Sequence, residues 1–202
     1  MLNFEIQHQP SLSRGQLLLR SFFGIFYIFL PHAVMLMLFG IVGIIYRLIA
    51  FWAILFTGKH PKSMFDFQVG LMRWSMRLNA NFYNLVDEYP SFGLSHNTEL
   101  ITLDVTYPES LSRGKLLLKA FFGVFYVVIP HVFILYFRMI GMMFINFLGF
   151  WAILFTGKMP ESWHIFTVDT FRWMLRLQLY LGNMTDVYPP FTGKVLAVEN
   201  AG

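Results

Sequence analysis

Two histidines, His32 and His131, stand in matching surroundings. Each directly follows a proline, Pro31 or Pro130, and each lies within apolar sequence. A histidine placed so deep in apolar sequence would serve as a metal ligand or a proton carrier, and the two would then act as a pair across a pseudo-twofold. The alternative is structural: each starts a helix and its ring satisfies a nearby carbonyl or meets lipid headgroups. No acidic residue lies near either in sequence, which favours the structural reading. The other histidines, His8, His60, His96 and His164, have no counterpart. Arginines form a second pattern, Arg73 with Arg77 and Arg172 with Arg176, each pair four residues apart. Like charges on one helix face repel by a few tenths of a kcal/mol, so these pairs call for an anion. It would be a lipid phosphate, or one of the internal carboxylates Asp66, Asp87, Asp169 and Asp186.

Catalysis needs converging groups, commonly a base with a nucleophile or a metal with its ligands, and the sequence offers no such set. Thr57-Gly58-Lys59 lacks the upstream glycine and spacing of a phosphate-binding loop. Its expected work is to end a helix and place lysine at anionic headgroups. With no cysteine in the chain, thiol and disulfide chemistry are excluded. The expectation is a protein without catalytic residues, metal or cofactor. Trp52 and Trp151 fit an interfacial aromatic belt better than a cofactor box.

The elements that must position these residues are written twice. Phe51 to Lys59 recurs unchanged as Phe150 to Lys158. At that offset of 99 residues, Ser11–Phe92 aligns with Ser110–Phe191 without a gap, identical at 39 of 82 positions. The chain therefore divides into repeat 1, residues 1–97, and repeat 2, residues 98–202. Hydrophobic residues make up 56% and charged residues only 13% of the chain, about half the charge of a soluble domain. The apolar excess sits in Leu17–Phe56 and Leu116–Phe155, each about twice the roughly 20 residues that cross a bilayer core. The chain opens without a basic segment or cleavage site, so no removable signal peptide is expected. The net charge of +4 lies at the window edges, which points to a membrane surface and not to nucleic acid.

Each repeat is predicted to open with a short strand, Leu2-Phe4-Ile6 or Ile101-Leu103-Val105 alternating inward. A serine-capped helix start follows at Ser11–Gly15 and Ser110–Gly114. Prolines 31 and 130 must then kink or restart the helix. Two arrangements fit the window. One is a helical hairpin turning near Gly40–Gly43, and near Arg138–Gly141 in the copy. The other is a shallow in-plane helix followed by a single span from His32 to Thr57. Basic residues flank both window ends, Arg14 and Arg20 before and Lys59 and Lys62 after. The preference of such residues for the cytoplasmic side favours the hairpin. Arg47 within a helix then needs a partner, and Arg138 at the turn must snorkel. Gly24, Gly40, Gly43, Gly123 and Gly141 would permit close helix approach. Beyond Thr-Gly-Lys, the stretches Ser63–Val86 and Ser162–Val187 carry an apolar stripe with Trp74 and Trp173. They would lie in the membrane interface or pack on the hairpins. The tail from Lys194 to Val198 alternates weakly and would join the strands in a small sheet. The fold class is thus mainly α and integral to a membrane.

Pro31-His32, the Phe-Trp-Ala-Ile-Leu-Phe-Thr-Gly-Lys-x-Pro block, Phe67, Arg73-Trp74, Arg77 and Asp87-x-Tyr89-Pro90-x-Phe92 follow one another in fixed order in both copies. Together they resemble a widespread bacterial family of uncharacterised membrane proteins, a domain of unknown function often carried in tandem. The resemblance covers nearly the whole chain. It implies a bacterial origin and a membrane location, and it brings no activity, cofactor or site. The second copy departs from the first at His164-Ile165 and at Gly182. The expected location is the bacterial cytoplasmic membrane, multiply crossed, with the basic flanks inside. Headgroup contacts are expected at Arg14, Lys59, Arg73, Arg77, Arg113, Lys158, Arg172 and Arg176. Structural or intramembrane polar roles fall to Pro31, His32, Arg47, Pro130, His131 and Arg138. A non-catalytic accessory or scaffolding subunit is the first functional expectation, partnered by lipids and by other membrane subunits or its own copies. Membrane shaping or lipid organisation comes second, and transport of a small or lipidic solute third.

Overall fold

In the computed structural model, which describes residues 1–94 and 97–196, the two alternating segments pair with each other. Strand β1, Leu2–Ile6, runs antiparallel to β2, Ile101–Val105, with Phe4 opposite Leu103, Leu2 opposite Val105 and Ile6 opposite Ile101. Phe4 and Leu103 are equivalent positions of the two repeats, so the pseudo-twofold passes through this pair, perpendicular to the sheet. Leu2, Phe4, Ile6, Ile101 and Leu103 are buried on one face, while Asn3, Glu5 and Asp104 are exposed on the other. Period-two alternation thus gives the sheet one dry side and one wet side. It remains two-stranded: residues 194–196 form no strand, and Ala197 and Val198 of the expected tail strand lie outside the described residues.

The apolar windows form no hairpin. Helix α1, Arg14–Gly24, continues through a π-helical turn, Ile25–Phe29, into α2, Leu30–Thr57, as a single rod of 44 residues. Repeat 2 copies it as α4, Arg113–Gly123, a π turn at Val124–Val128, and α5, Ile129–Thr156. The correction has a plain cause. Glycine permits a turn without forcing one, and between Pro31 and Tyr46 no Ser, Thr, Asn or Asp is available to cap a second helix. Gly40 is simply a helical position with no side-chain or foreign backbone atom within 4 Å of where its Cβ would stand. The rods begin at serine caps, Ser13 accepting from the Gln16 N–H and Ser112 from that of Lys115, both at 3.3 Å. They end at Gly58 and Gly157, whose φ of 74° and 73° is the left-handed stop expected of Thr-Gly-Lys.

Helix α3, Lys62–Phe82, and helix α6, Glu161–Leu181, are packing helices and not surface-lying ones. Phe65, Val69, Met72 and Met76 of α3 join Val168, Phe171, Leu175 and Leu179 of α6 and the inner face of the sheet in the main core. Each helix runs back along its own rod, and Gly43 allows this on one side: a Cβ there would stand 2.9 Å from Leu71 Cδ1. The strands are exchanged between repeats. The backbone oxygen of Phe4 in β1 accepts from Arg172 of α6, and that of Leu103 in β2 accepts from Arg73 of α3.

The rods meet head to tail. The Leu12 N–H donates to the Gly157 carbonyl and the Leu111 N–H to that of Gly58, both at 2.8 Å. Arg14 adds a bond to the Phe155 carbonyl at 3.0 Å, and Arg113 one to that of Phe56 at 2.9 Å. Away from these junctions and from the packing helices the rods are bare. Twenty large apolar side chains on the first and nineteen on the second are exposed, and only 17% and 22% of their most apolar stretches is buried. Burying such a side chain is worth about 1.5–3 kcal/mol, so leaving this surface in water would cost tens of kcal/mol. A typical fold has about 5–15 kcal/mol of net stability to set against that. Both rods are long and apolar enough to cross a membrane.

Candidate functional site

The fixed-order motifs of each repeat converge on the proline. Pro31 has no N–H to offer the Tyr27 carbonyl four residues back. The π turn shifts the ladder there, the Leu30 N–H reaching the Ile25 carbonyl, and the Tyr89 hydroxyl donates to the Tyr27 carbonyl at 3.1 Å. In repeat 2 the Tyr188 hydroxyl donates to the Tyr126 carbonyl at 2.9 Å. The tyrosine of each Tyr-Pro motif thus supplies the donor that the proline of the rod removes. Its position follows from Asp87, which accepts from the Ser13 N–H at 2.6 Å, as Asp186 does from that of Ser112.

His32 and His131 sit beside these tyrosines, both fully buried. The Trp74 indole donates to His32 Nδ1 at 2.7 Å, and that of Trp173 to His131 Nδ1 at 2.8 Å. An indole N–H only donates, so Nδ1 must accept and each imidazole is the neutral tautomer with its proton on Nε2. Phe92 stacks on His32 at 3.8 Å between ring centres and Phe191 on His131 at 4.1 Å. Each histidine is held within its own repeat, and among the described residues the two are not joined as a ligand pair. The clusters differ at one atom. His131 Nε2 meets the Tyr188 hydroxyl at 3.2 Å, whereas His32 Nε2 has no hydrogen-bond partner among the described residues. Nor do three or more His, Asp or Glu side chains come together there as a metal site would require.

The expected headgroup contacts divide sharply. Arg77, Arg172 and Arg176 are buried. Arg77 donates to the Ser91 and Gly93 carbonyls, and Arg176 to those of Thr192 and Lys194. Arg172 donates to the Phe4 and Gly193 carbonyls and pairs with Asp169 at 2.6 Å. Arg73 pairs with Asp104 at 2.6 Å. These arginines lock loops and strands to the packing helices and are not turned out to lipid. Burial lowers the pKa of Arg77, with Arg73 adding to the effect, yet a guanidinium starts so high that it keeps its charge, here facing the Ser91 and Gly93 carbonyls. Asp66 pairs with Lys62 and not with an arginine. Asp87 and Asp186 lie near Arg20 and Lys119, at 3.9 and 3.7 Å, and not near the arginine pairs. Arg14 and Arg113 are exposed but bonded to the opposite rod's end, while Lys59 and Lys158 stand exposed at the same two junctions.

Both arginines within the rods, Arg47 and Arg138, find partners on the packing helices. Arg47 donates to Gln68 at 3.3 Å, whose amide donates in turn to the Gly43 carbonyl. Arg138 is not at a turn. It lies in mid-α5, donates to Thr170 at 3.0 Å and to the Phe166 carbonyl, and covers the Phe166 ring at 4.4 Å. His60 and His164 are buried, and burial depresses the pKa of each, so both are neutral near pH 7.

The sequence reading missed a polar chain between the repeats. Arg20 donates twice to Asn84 Oδ1, at 2.7 and 3.1 Å, and the Asn84 amide donates to Asn146 of α5 at 3.0 Å. A signal existed: Asn84 and Asn183 are identical in the alignment, and they are the described non-glycine residues with positive φ, 56° and 55°. Asparagine tolerates that conformation where most residues do not.

A family described as a domain of unknown function, DUF4389, matches residues 16–93 and again residues 118–193. No curated protein and no solved structure matches the chain.

Proposed function

This chain belongs to the DUF4389 family, carrying its domain twice, and we propose that it is a non-catalytic, lipid-organising protein whose two rods enter one leaflet from one side. The observation behind this is the outer face of the sheet. The pseudo-twofold leaves the molecule between Phe4 and Leu103, through a surface carrying Asn3, Glu5 and Asp104. Were that axis to lie in the membrane plane, this polar face would sit in hydrocarbon, where unpaired polar groups cost several kcal/mol each. With the axis along the membrane normal, the sheet faces water and both rod junctions lie at one depth. Each rod then begins and ends on the same side.

Length and charge agree with this orientation. A helix of 44 residues is about 66 Å long, more than twice the roughly 30 Å hydrocarbon core. A proline and a π turn are where such a helix bends. Arg14 with Lys158, and Arg113 with Lys59, gather at the two junctions, where basic side chains would meet anionic headgroups of that leaflet. Rods inserted from one side expand that leaflet relative to the other, which is the physical basis of curvature.

The test adds purified protein to preformed liposomes of phosphatidylethanolamine and phosphatidylglycerol and images them by electron cryo-microscopy. Tubules or small, highly curved vesicles are expected as the inserted protein density rises. Smooth spherical vesicles at high inserted density would refute lipid organisation by leaflet expansion. The exposed rod surface also suits contact with other membrane helices. A stoichiometric protein partner recovered from native membranes in mild detergent would therefore favour the accessory-subunit reading.

A further inference from the structure

Arg47 is exposed on α2 at the rim of its contact with α3, and its neighbours Ile44 and Leu48 are 67% and 62% exposed. Its Nε–H donates to Gln68 Oε1 at 3.3 Å, and the Gln68 amide is fixed in turn by the Gly43 carbonyl at 2.6 Å. This bond ties the guanidinium at its base. Its Nη1 and Nη2 groups meet no hydrogen-bond acceptor among the described residues. A guanidinium only donates, so those N–H groups call for oxygen atoms from outside the chain.

Repeat 2 meets the equivalent demand internally. Asn146 stands where repeat 1 has Arg47, and it accepts from the Asn84 amide at 3.0 Å. The second rod's own arginine, Arg138, stands where repeat 1 has Phe39. It is half-buried, bonded to Thr170 and to the Phe166 carbonyl, and laid over the Phe166 ring. Depth sharpens the demand on Arg47. The rod ends at Thr57, ten positions further on, or about 15 Å along a helix. That is about half the hydrocarbon core. A rod ending at the headgroups therefore carries this cation well below them, where it needs an anion.

We infer that Arg47 holds the phosphate of a membrane lipid, Nη1 and Nη2 forking onto its oxygens, as the rod leans or the leaflet dips to bring them together. The fork suits phosphate and carboxylate alike, and composition separates the two. Neither rod, Arg14–Thr57 nor Arg113–Thr156, contains Asp or Glu, so the rods of a second copy have no carboxylate to offer. The exposed apolar neighbours of Arg47 instead set it among acyl chains, whose own molecules carry phosphate. The contact presupposes embedded rods, as proposed above, but not curvature. Liposomes that stay spherical would refute leaflet expansion and leave this contact standing.

The experiment inserts the full chain, isotopically labelled at every arginine Cζ, into liposomes of phosphatidylethanolamine and phosphatidylglycerol in phosphate-free buffer. Flotation verifies insertion, and solid-state NMR reads which Cζ signals are dephased by nearby phosphorus. Arg47→Asn, which takes repeat 2's own residue, should remove the dephased signal of one arginine. Arg47→Lys keeps a cation at this exposed site, guards against a folding defect and should remove the same signal. Arg138→Phe, which takes repeat 1's residue, should remove only signal that is not dephased. Liposomes of phosphorus-free galactolipid with inorganic phosphate in the buffer separate lipid from free phosphate, and there the parent and Arg47→Asn should show equal dephased signal. Phospholipid liposomes in which both Arg47 variants keep the parent's full dephased signal overturn the assignment, and leave Arg47 to the carboxylate of another membrane protein. A dephased signal from Arg47 in galactolipid overturns the lipid as its source. Equal loss of dephased signal in Arg138→Phe also overturns the assignment, since an arginine with internal partners would then score alike.

Discussion

The indole of Trp74 and the imidazole of His32 meet at 2.7 Å, where neither has water to turn to. Their pairing explains why a polar ring can sit fully buried at the start of an apolar helix. Removing the donor leaves Nδ1 unmet, at a cost of about 1–3 kcal/mol. Trp74→Phe keeps most of the apolar volume and should lower the unfolding temperature in detergent by several degrees, since about 1 kcal/mol moves a domain of this size by roughly 2–4 °C. Trp52→Phe is the control. Its ring is 51% exposed and makes no hydrogen bond among the described residues, so its unfolding temperature should stay at the parent value. Equal values for all three proteins would mean that the indole–imidazole bond contributes nothing. The same scale shows where residue types misled. Four arginines spaced as like-charged pairs called for a lipid phosphate or an internal carboxylate; Asp169 does pair with Arg172 and Asp104 with Arg73, but the remaining partners are neutral carbonyl oxygens. Carbonyls leave no trace in a sequence, because every residue has one.

At the scale of elements, periodicity and punctuation were legible, and direction was not. The alternating strands, serine caps, glycine stops and proline irregularity all stand where their residues place them, because each is decided by neighbours a few positions away. The hairpin failed because it was inferred from window length and flanking charge, neither of which acts on local backbone. Gly40 separates the two structures experimentally. In a continuous rod, Gly40→Ala removes backbone freedom from an open helical site and should raise stability by about 0.5–1 kcal/mol. At a hairpin turn it would lower it. Gly70→Ala provides the contrast. A Cβ there would lie 2.7 Å from the Leu94 backbone oxygen, so α3 or the loop must shift and stability should fall. Thermal unfolding in one detergent measures both, and a loss at position 40 equal to that at position 70 would restore the turn. The exchange of strands between repeats, β1 onto α6 and β2 onto α3, was not readable at all, since either pairing presents the same alternating face.

For the whole molecule, duplication was plain in the 99-residue offset, but its symmetry axis needed the register of two short strands. Once Phe4 lies opposite Leu103, the axis leaves the molecule through a polar sheet face, and the proposed orientation assigns a depth to each basic residue. Lys59 and Lys158 become the informative pair. They are equivalent ends of head-to-tail rods, so they share a side if the axis is normal to the membrane and oppose each other if it lies in the plane. The chain has no cysteine of its own, so Glu5→Cys, Lys59→Cys, Lys158→Cys and Gly40→Cys can each be labelled singly with a membrane-impermeant maleimide. The protein is inserted into sealed liposomes, and reagent is supplied outside or trapped inside. Positions 5, 59 and 158 should all label from the outside, and position 40 from neither compartment. Labelling of positions 59 and 158 from opposite sides, or of position 40 from the inside, would contradict entry from one side.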